Sequence, residues 1–567
     1  MVYVLIIAHI IHWQVSGRTL APLEVSEALE TIHLGIITAG AIFLLATILI
    51  TLFFGRFFCG WACHILALQD FCHWLLDKCG IRPKPIRSRV LVWVPLLAAI
   101  YLFVWPQVER LITGEPFPEL RFQTDAEGWG SLVTEDFWRK FPGVFISVLT
   151  FVVCGFVVVY VLGTRSFCRF ACPYGAIFHL ADRITPGRIV MTGDCQQCGK
   201  CTAGCLSQVR VHEEIKRYGM VVDSNCMKDL DCVSNCPNSA IEFKFAKPPI
   251  AKGILAPARL EMPPSFTRAE DGLIAVVFVT TLIIYRGLYD ALPLLLSLSI
   301  AGLLGYIAVL CVRTIRNATL RVNKVTLKQD GRLTARGIGF ALLAIGLAAL
   351  TVHSGFVRYH DYLGQRAYGQ ANAQTAHELI SKKPSVLSFT LARRAIYHLE
   401  IVSKWGLVKP LRVRHQLAAL YIATVLPESA ERELQAILKE EPNDLMARTY
   451  FAATLAKQGK LDEAATHLEK CVALRPDSPD VRNNLAYVYT LLERNEEAIY
   501  HFEWLLDITP RDALAHCSLG ALLQKEGRLE EAAAAFRRAT ELQPTLDEAA
   551  RGLESVLDAH RRQTSPP

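Results

Sequence analysis

Four cysteines lie within eleven residues of this 567-residue chain. Thiolates are ligands for soft metals, above all zinc and iron–sulfur clusters. Structural zinc sites usually take cysteine pairs that are separated by longer gaps, so a run this dense favours an iron–sulfur cluster over zinc. The first cysteine run has the spacing C-x2-C-x2-C-x3-C and comprises Cys195, Cys198, Cys201 and Cys205.

A second cysteine run follows the first. It has the same length and ends in Cys236-Pro237, but Asp229 stands where its second cysteine is expected. An oxygen ligand is harder than a thiolate, so a cluster bound here would be labile or would hold three irons. A decayed run that binds no cluster is the alternative. The cysteines of the second run are Cys226, Cys232 and Cys236.

Two further cysteine pairs have the spacing C-x3-C and each follows an apolar segment. They are Cys59 with Cys63, and Cys168 with Cys172. A spacing of four places both thiols of a pair on one helical face. The pairs could therefore meet as a second thiolate site for a metal, with two separate structural pairs as the alternative. A c-type haem is disfavoured, because the spacing before His64 is one residue too long for C-x-x-C-H.

The composition predicts a membrane protein. Apolar residues make up 52% of the chain and charged residues 20%, and a transmembrane helix needs about 20 mostly apolar residues. The net charge of +7 is small for this length, so nucleic acid is not an expected partner. We expect seven spans in contact with membrane lipid, at 1–13, 32–54, 90–105, 144–163, 272–285, 291–312 and 337–357.

The orientation follows from the lysines and arginines of the loops. They concentrate in 55–89 and 313–336, whereas the loops on the other side of the spans are mostly acidic. Cytoplasmic loops carry the excess of basic residues. We therefore expect 164–271 in the cytoplasm and everything after about residue 358 outside it.

The C-terminal third repeats with a period of 34 residues and resembles the tetratricopeptide repeat. A small alanine lets paired helices approach, and proline ends the second helix of a pair. Such solenoids have a concave protein-binding surface, so we expect a protein partner there. An appendage without a specific ligand is the alternative. The markers are Pro442, Pro476, Pro510, Pro544, Ala430, Ala464, Ala498, Ala532, Gly459, Glu493 and Gly527.

The two cysteine runs resemble those of bacterial two-cluster ferredoxins. The resemblance implies one 4Fe-4S cluster on Cys195, Cys198, Cys201 and Cys236. It implies a second cluster, 4Fe-4S or 3Fe-4S, on Cys205, Cys226 and Cys232, with Asp229 or an exogenous ligand on the fourth iron.

The order of the motifs resembles the NapH/NosR group of membrane polyferredoxins. C-G-W-x-C-H follows one span, C-x3-C-P follows another, and the paired ferredoxin runs come next, over about residues 30–245. Members of that group are implied to pass electrons between the quinone pool and periplasmic reductases, or to support maturation of such reductases. The repeat array lies outside the familiar pattern.

The predicted fold is a multi-span α-helical membrane protein with an inserted two-cluster ferredoxin-like α+β domain and a C-terminal all-α solenoid. The expected location is the bacterial inner membrane. The expected domains are a membrane domain with both C-x3-C pairs at 1–186, the ferredoxin-like insert at 187–246, a proline-rich linker at 247–271, the last three spans at 272–357, a helical connector at 358–408, and the solenoid with its capping helix at 409–567.

The function expected from these features is membrane-bound electron transfer. The hydrocarbon core is about 30 Å thick, so a quinone or the C-x3-C thiols would have to bridge part of the way to an outside acceptor. No acid–base or nucleophilic constellation is apparent, so an enzymatic role would be that of a quinol dehydrogenase-like component. The alternatives are a redox assembly factor for a respiratory enzyme, and a non-redox scaffold with structural clusters.

Overall fold

The computed structural model describes most of the chain and divides it into two compact units, Met1–Thr351 and Val352–Pro567. Two expectations lie partly outside the described residues, namely the linker around Pro257 and Pro263 and the connector at 372–388. The described residues are 2–21, 27–83, 85–114, 116–123, 131–135, 138, 143–254, 264–371, 389–424 and 426–564.

Apolar helices dominate the first unit. Among the described residues, four helices are long and apolar enough to cross a membrane, namely Leu91–Thr113, Val144–Leu162, Leu294–Arg316 and Ala335–Ala371. The three other expected spans coincide with helices that are shorter or more polar at one end, namely Val2–Ser16, Ala39–Phe54 and Arg268–Tyr285. The count of seven spans therefore stays a prediction.

The second expected span consists of two helices, because Gly35 ends the first of them. The helix Ala28–Leu34 stops where Gly35 takes a φ of 73°, a left-handed conformation that suits glycine. A Cβ at this position would collide with the carbonyl oxygen of Glu119. The hydroxyl of Thr38 then caps the apolar helix Ala39–Phe54 by accepting a backbone hydrogen bond at 3.1 Å.

Large apolar side chains cover the outside of these helices. Leu342, Leu343 and Ile345 are 65%, 58% and 66% exposed on the helix Ala335–Ala371. Soluble monomers rarely expose continuous apolar surface of this kind. The apolar helices thus indicate a membrane protein.

Short helices connect the apolar helices to the cysteines. Phe57–Trp61 and His64–Lys78 follow the helix that ends at Phe54, and Ser166–Phe170 and Pro173–Ile184 follow the helix that ends at Leu162. Each C-x3-C pair therefore begins in a helix of one turn and ends at the N-cap of the next helix. A three-stranded antiparallel sheet precedes the last apolar helix and comprises Leu320–Val322, Val325–Gln329 and Arg332–Leu333.

An antiparallel pair of strands brackets the segment with both cysteine runs. Gly187–Met191 pairs with Ile241–Phe245, so that Ile189 lies opposite Phe243. Three short helices lie between the strands, namely Lys200–Ala203, Val211–Tyr218 and Asp231–Ser234. The small core that they enclose contains Ile189, Val209, Val211, Ile215, Val221 and Ile241, together with Cys201, Cys226 and Cys232.

The second unit is built from helix pairs, as the 34-residue period predicts. The repeating alanines Ala430, Ala464, Ala498 and Ala532 are fully buried, which lets the two helices of each pair pack closely. After Phe389–Trp405, the helices are Leu411–Ala423, Pro427–Glu440, Leu445–Lys457, Leu461–Leu474, Pro479–Leu491, Asn495–Ile508, Ala513–Lys525, Leu529–Leu542 and Asp547–Thr564.

The turn within each repeat explains the recurring glycine. Gly459, Glu493 and Gly527 have φ of 79°, 58° and 77° at equivalent positions. The left-handed conformation ends the first helix of the pair, and glycine adopts it without steric cost. Glu493 adopts the same conformation, so the turn is kept in the repeat that lacks glycine.

His501 should make the stability of the repeats depend on pH. Burial, with a smaller contribution from the Arg482 guanidinium, lowers the pKa of His501 to about 4. The unfolded chain binds this proton near pH 6.5, so the stability that neutral His501 contributes is lost progressively as the pH falls from 6.5 to 4. We expect the apparent melting temperature, followed by circular dichroism, to fall in that range. His501→Gln should reduce this dependence of the melting temperature on pH, whereas the control His516→Gln should leave it unchanged. An unchanged dependence in His501→Gln would show that His501 is not its source.

Candidate iron–sulfur centres

The first centre is a cavity that four cysteines line. Three come from the first cysteine run, Cys195, Cys198 and Cys201, and the fourth is Cys236 at the end of the second run. This is the set that the ferredoxin resemblance implies for one 4Fe-4S cluster. The remaining walls are mostly apolar and include Ile215, Pro237, Ala240 and Ile241.

Backbone and side-chain groups at this cavity are placed to favour thiolates. The backbone N–H of Ala240 donates to Sγ of Cys236 at 3.3 Å, and the amide of Gln197 donates to Sγ of Cys195 at 3.3 Å. Hydrogen bonds of this kind stabilise the charged form of an acid. Burial raises the pKa of Cys201, and the nearby thiols of Cys195 and Cys198 raise it further, as expected for thiols that share a site.

The two cysteine runs follow the same backbone path. Residues with positive φ recur at an offset of 31, so that Gln197, Gly199 and Gln208 in the first run match Lys228, Leu230 and Ser239 in the second. The helix Lys200–Ala203 likewise matches Asp231–Ser234. Asp229 therefore occupies the position in its loop that Cys198 occupies in the first run.

The second centre brings together Cys205, Cys226 and Cys232. Burial raises the pKa of Cys205 to about 12, and the next contribution comes from the neighbouring Cys226 thiol. The pKa of Cys232 is also raised, first by burial and then by Cys226 and Cys205. Cys226 and Cys232 are buried in one small core, and Cys205 packs against it. That these three thiols bind one cluster stays a prediction.

Asp229 lies near these thiols, but its carboxylate has other partners. Oδ2 forms an ion pair with the guanidinium of Arg165, and Oδ1 accepts a hydrogen bond from the backbone N–H of Asp231 at 3.4 Å. Arg165 is 3% exposed and also binds Asp70 through two parallel hydrogen bonds, of 3.0 and 2.8 Å. The expected role of Asp229 as an iron ligand stays a prediction.

The third centre is formed by the two C-x3-C pairs. Burial raises the pKa of Cys63 to about 12, and Cys59 and Cys172 add to the effect. The pKa of Cys168 is raised by burial and then by all three of the other thiols. The four cysteines thus converge in a buried group, in which the backbone N–H of Gly175 donates to Sγ of Cys172 at 3.3 Å.

The arrangement of the thiols around the first cavity bears on the kind of metal that they suit. Zinc requires ligands at about 2.3 Å, whereas an iron–sulfur cluster separates its thiolates by the width of its core. Four thiols spread around one cavity, as in the first centre, fit a cluster.

A buried ionic network joins the second and third centres. Asp182, fully buried, accepts hydrogen bonds from the fully buried Arg188 at 3.0 Å and Lys228 at 3.2 Å. The backbone N–H of Arg56 donates to the same carboxylate at 3.2 Å, and the guanidinium of Arg56 lies beside Cys59. Two buried cations, Arg188 and Lys228, therefore share one carboxylate. Together with the guanidinium of Arg56 they leave an excess of positive charge, which favours nearby thiolates.

Sequence reasoning missed the charged residues of this region. Arg56, Arg165, Asp182 and Lys228 are buried or nearly so, and most of their partners lie far along the chain. One local signal was available, since an arginine precedes the first cysteine of each C-x3-C pair by three residues. Gln69, next to Asp70, donates to the carbonyl oxygen of Cys154 at 3.1 Å.

Comparison with known proteins extends these observations. A family model described as a 4Fe-4S binding domain matches residues 36–82 and 144–191, which contain both C-x3-C pairs. Tetratricopeptide-repeat models match 445–511 and 513–546. The crystal structure of MamA matches 27% of this chain and 90% of its own, with 21% identity and a TM-score of 0.26.

Three curated relatives match the first half of the chain. The putative electron transport protein YccM of Escherichia coli is 24% identical over 41% of this chain and 62% of its own length, which is less than two thirds of that relative. The methylamine utilization ferredoxin-type protein MauN of Methylorubrum extorquens is 24% identical over 40% of this chain and 77% of its own. The ferredoxin-type protein NapH of Haemophilus influenzae is 23% identical over 39% and 74%.

The apolar helices and clustered thiols, together with these matches, place the chain among the iron–sulfur membrane proteins. The findings support a polyferredoxin-like protein, similar to these ferredoxin-type relatives, that carries a tetratricopeptide-repeat domain. The ferredoxin-type relatives support an iron–sulfur electron-transfer role, and the repeats indicate interaction with another protein.

Proposed function

We propose that this chain relays single electrons between a donor, either the quinone pool or a cytoplasmic protein, and an extracytoplasmic redox partner that docks on the repeats. The observation that carries this proposal is the clustering of eleven cysteines within the first unit, around one cavity and in two packed cores. Iron–sulfur clusters supply one-electron oxidation and reduction when they are bound. The chain's own residues hold them, shield them from solvent and set the charge around them.

The proposed ligands follow the three groups. Cys195, Cys198, Cys201 and Cys236 bind one cluster, and Cys205, Cys226 and Cys232 supply the thiolates for another. The four C-x3-C cysteines form a further thiolate site, and the match of the 4Fe-4S binding domain to their segments supports iron–sulfur there as well.

The comparison with known domains favours ligation over thiol exchange at the third centre. Both C-x3-C pairs lie in segments that match a 4Fe-4S binding domain. This match favours the relay over an assembly factor that would reduce thiols through these pairs.

The membrane topology determines the distance that the electrons must cross. The basic loops support a topology with the cysteine runs on the cytoplasmic side and the repeats outside. In this topology the cysteine runs and the acceptor are separated by about 30 Å of hydrocarbon. The third centre directly follows two apolar helices and is therefore the centre nearest the membrane. A quinone would be the mobile carrier for the remaining distance.

Anaerobic purification of the full chain in detergent, followed by a potentiometric EPR titration, tests the proposal. We expect reversible one-electron signals, and partial reduction when a soluble quinol is added instead of dithionite. The same protein in detergent buffer without quinol serves as the blank. Colourless, iron-free protein, or clusters that no accessible potential reduces, would contradict the relay.

A further inference from the structure

Two arginines at equivalent positions hold the same segment of the second cysteine run. The segment comprises residues 224–229 and is called here the docking loop. Arg56 stands three residues before Cys59 and donates from Nη1 to the carbonyl oxygen of Ser224 at 3.0 Å. Arg165 stands three residues before Cys168 and pairs with Asp229 at the other end of the loop.

The middle of the docking loop lies directly against the first C-x3-C pair. Nε1 of Trp61 donates to the carbonyl oxygen of Lys228 at 2.9 Å. A Cβ at Gly60 would collide with the carbonyl oxygen of Met227, so glycine is needed for this approach. The side chain of Lys228 is fully buried and is held by Asp182 at 3.2 Å. The loop is therefore fixed along its whole length to the residues around the third centre.

The carboxylate of Asp229 completes this attachment. Its partner Arg165 is almost fully buried, is held by Asp70 on the other side, and donates to the hydroxyl of Ser207 at 2.8 Å. A shift of Asp229 onto iron would leave a buried guanidinium with one partner fewer, and breaking a buried ion pair in this way is costly. Both oxygens of Asp229 are already hydrogen-bonded.

We infer that Asp229 anchors the docking loop to Arg165 and is not a ligand of iron. The inference rests on one part of the proposed function, namely that the second cysteine run binds a cluster. Cys205, Cys226 and Cys232 then supply the thiolate ligands of that centre, and no residue of the described ranges is assigned to the fourth corner of the cluster. Asp229 is thus a positioning residue that keeps the second and third centres together.

Three variants of the full chain test this inference, with amide hydrogen exchange of residues 224–229, iron content and EPR as readouts. Asp229→Asn and Asp70→Asn both weaken the hold on Arg165, so both should speed exchange in the docking loop by about tenfold or more. Neither should change the iron content or the EPR species. Asp229→Ala should behave like Asp229→Asn.

Glu213→Gln is the matched control, because it removes an ion pair with Arg210 at 2.8 Å that is partly exposed and away from the loop. It should match the wild type in all readouts. A changed iron content or EPR species in Asp229→Asn but not in Asp70→Asn would overturn the inference. Iron-free wild-type protein would instead refute the proposed function, while the exchange rates would still decide whether Asp229 is the anchor.

Discussion

Replacement of Cys198 by alanine should remove the cluster of the first centre, a loss of about four irons per chain. Cys198 is exposed, unlike Cys201 in the same cavity, so its truncation removes a ligand without opening a hole in the core. A fall in iron content therefore reports lost ligation and not lost packing. Iron and acid-labile sulfide are measured on anaerobically purified full-length protein, together with the EPR spectrum of the reduced sample.

Cys79→Ala is the control for this experiment. Cys79 is also exposed, but it belongs to no cysteine run and to neither C-x3-C pair. It should retain the iron of the wild type. Equal iron in Cys198→Ala and wild type would argue against the first centre, and equal losses in both variants would mean that the chain simply tolerates no change at exposed cysteines.

The cysteine spacing predicted much of this arrangement because cluster-binding loops are local. The first run, its partner Cys236 and the offset between the runs are all fixed within about 40 residues, and short-range backbone geometry determines how such loops wrap. The 34-residue period predicted the repeats for a similar reason, since each helix pair contacts mainly its neighbours in sequence. In both cases the sequence pattern and the structural unit have the same length.

The attachment of the docking loop could not be predicted in this way. Arg165 and Asp229 are 64 residues apart, and Arg56 and Ser224 are 168 apart. No periodicity relates such pairs, and isolated charged residues are usually solvated. The same limit applies to Asp229. Its position in the run was visible in the sequence, whereas the arginine that holds it was not.

Asp182→Asn should destabilise the first unit more than any other single charge change among the residues described. The amide of asparagine fills the same space but lacks the negative charge that Arg188 and Lys228 share. The side chains of Asp182, Arg188 and Lys228 are all fully buried. Loss of one partner of a buried ion pair typically costs about 3–5 kcal/mol, because the remaining charge is left uncompensated. We therefore expect a fall of at least about 5 °C in the apparent melting temperature of the detergent-solubilised chain.

The same substitution should also shift the reduction potential of the adjacent centres. Removing a negative charge beside Cys226 and the C-x3-C thiols makes the surroundings more positive, and reduction adds an electron, so the midpoint potential should become more positive. Glu242→Gln breaks an exposed ion pair with Lys244 at 2.9 Å and should change neither quantity measurably. A lower melting temperature with an unchanged midpoint potential would mean that Asp182 stabilises the fold but does not influence the potential. An unchanged melting temperature would mean that Arg188 and Lys228 find compensation elsewhere, contrary to the network described above.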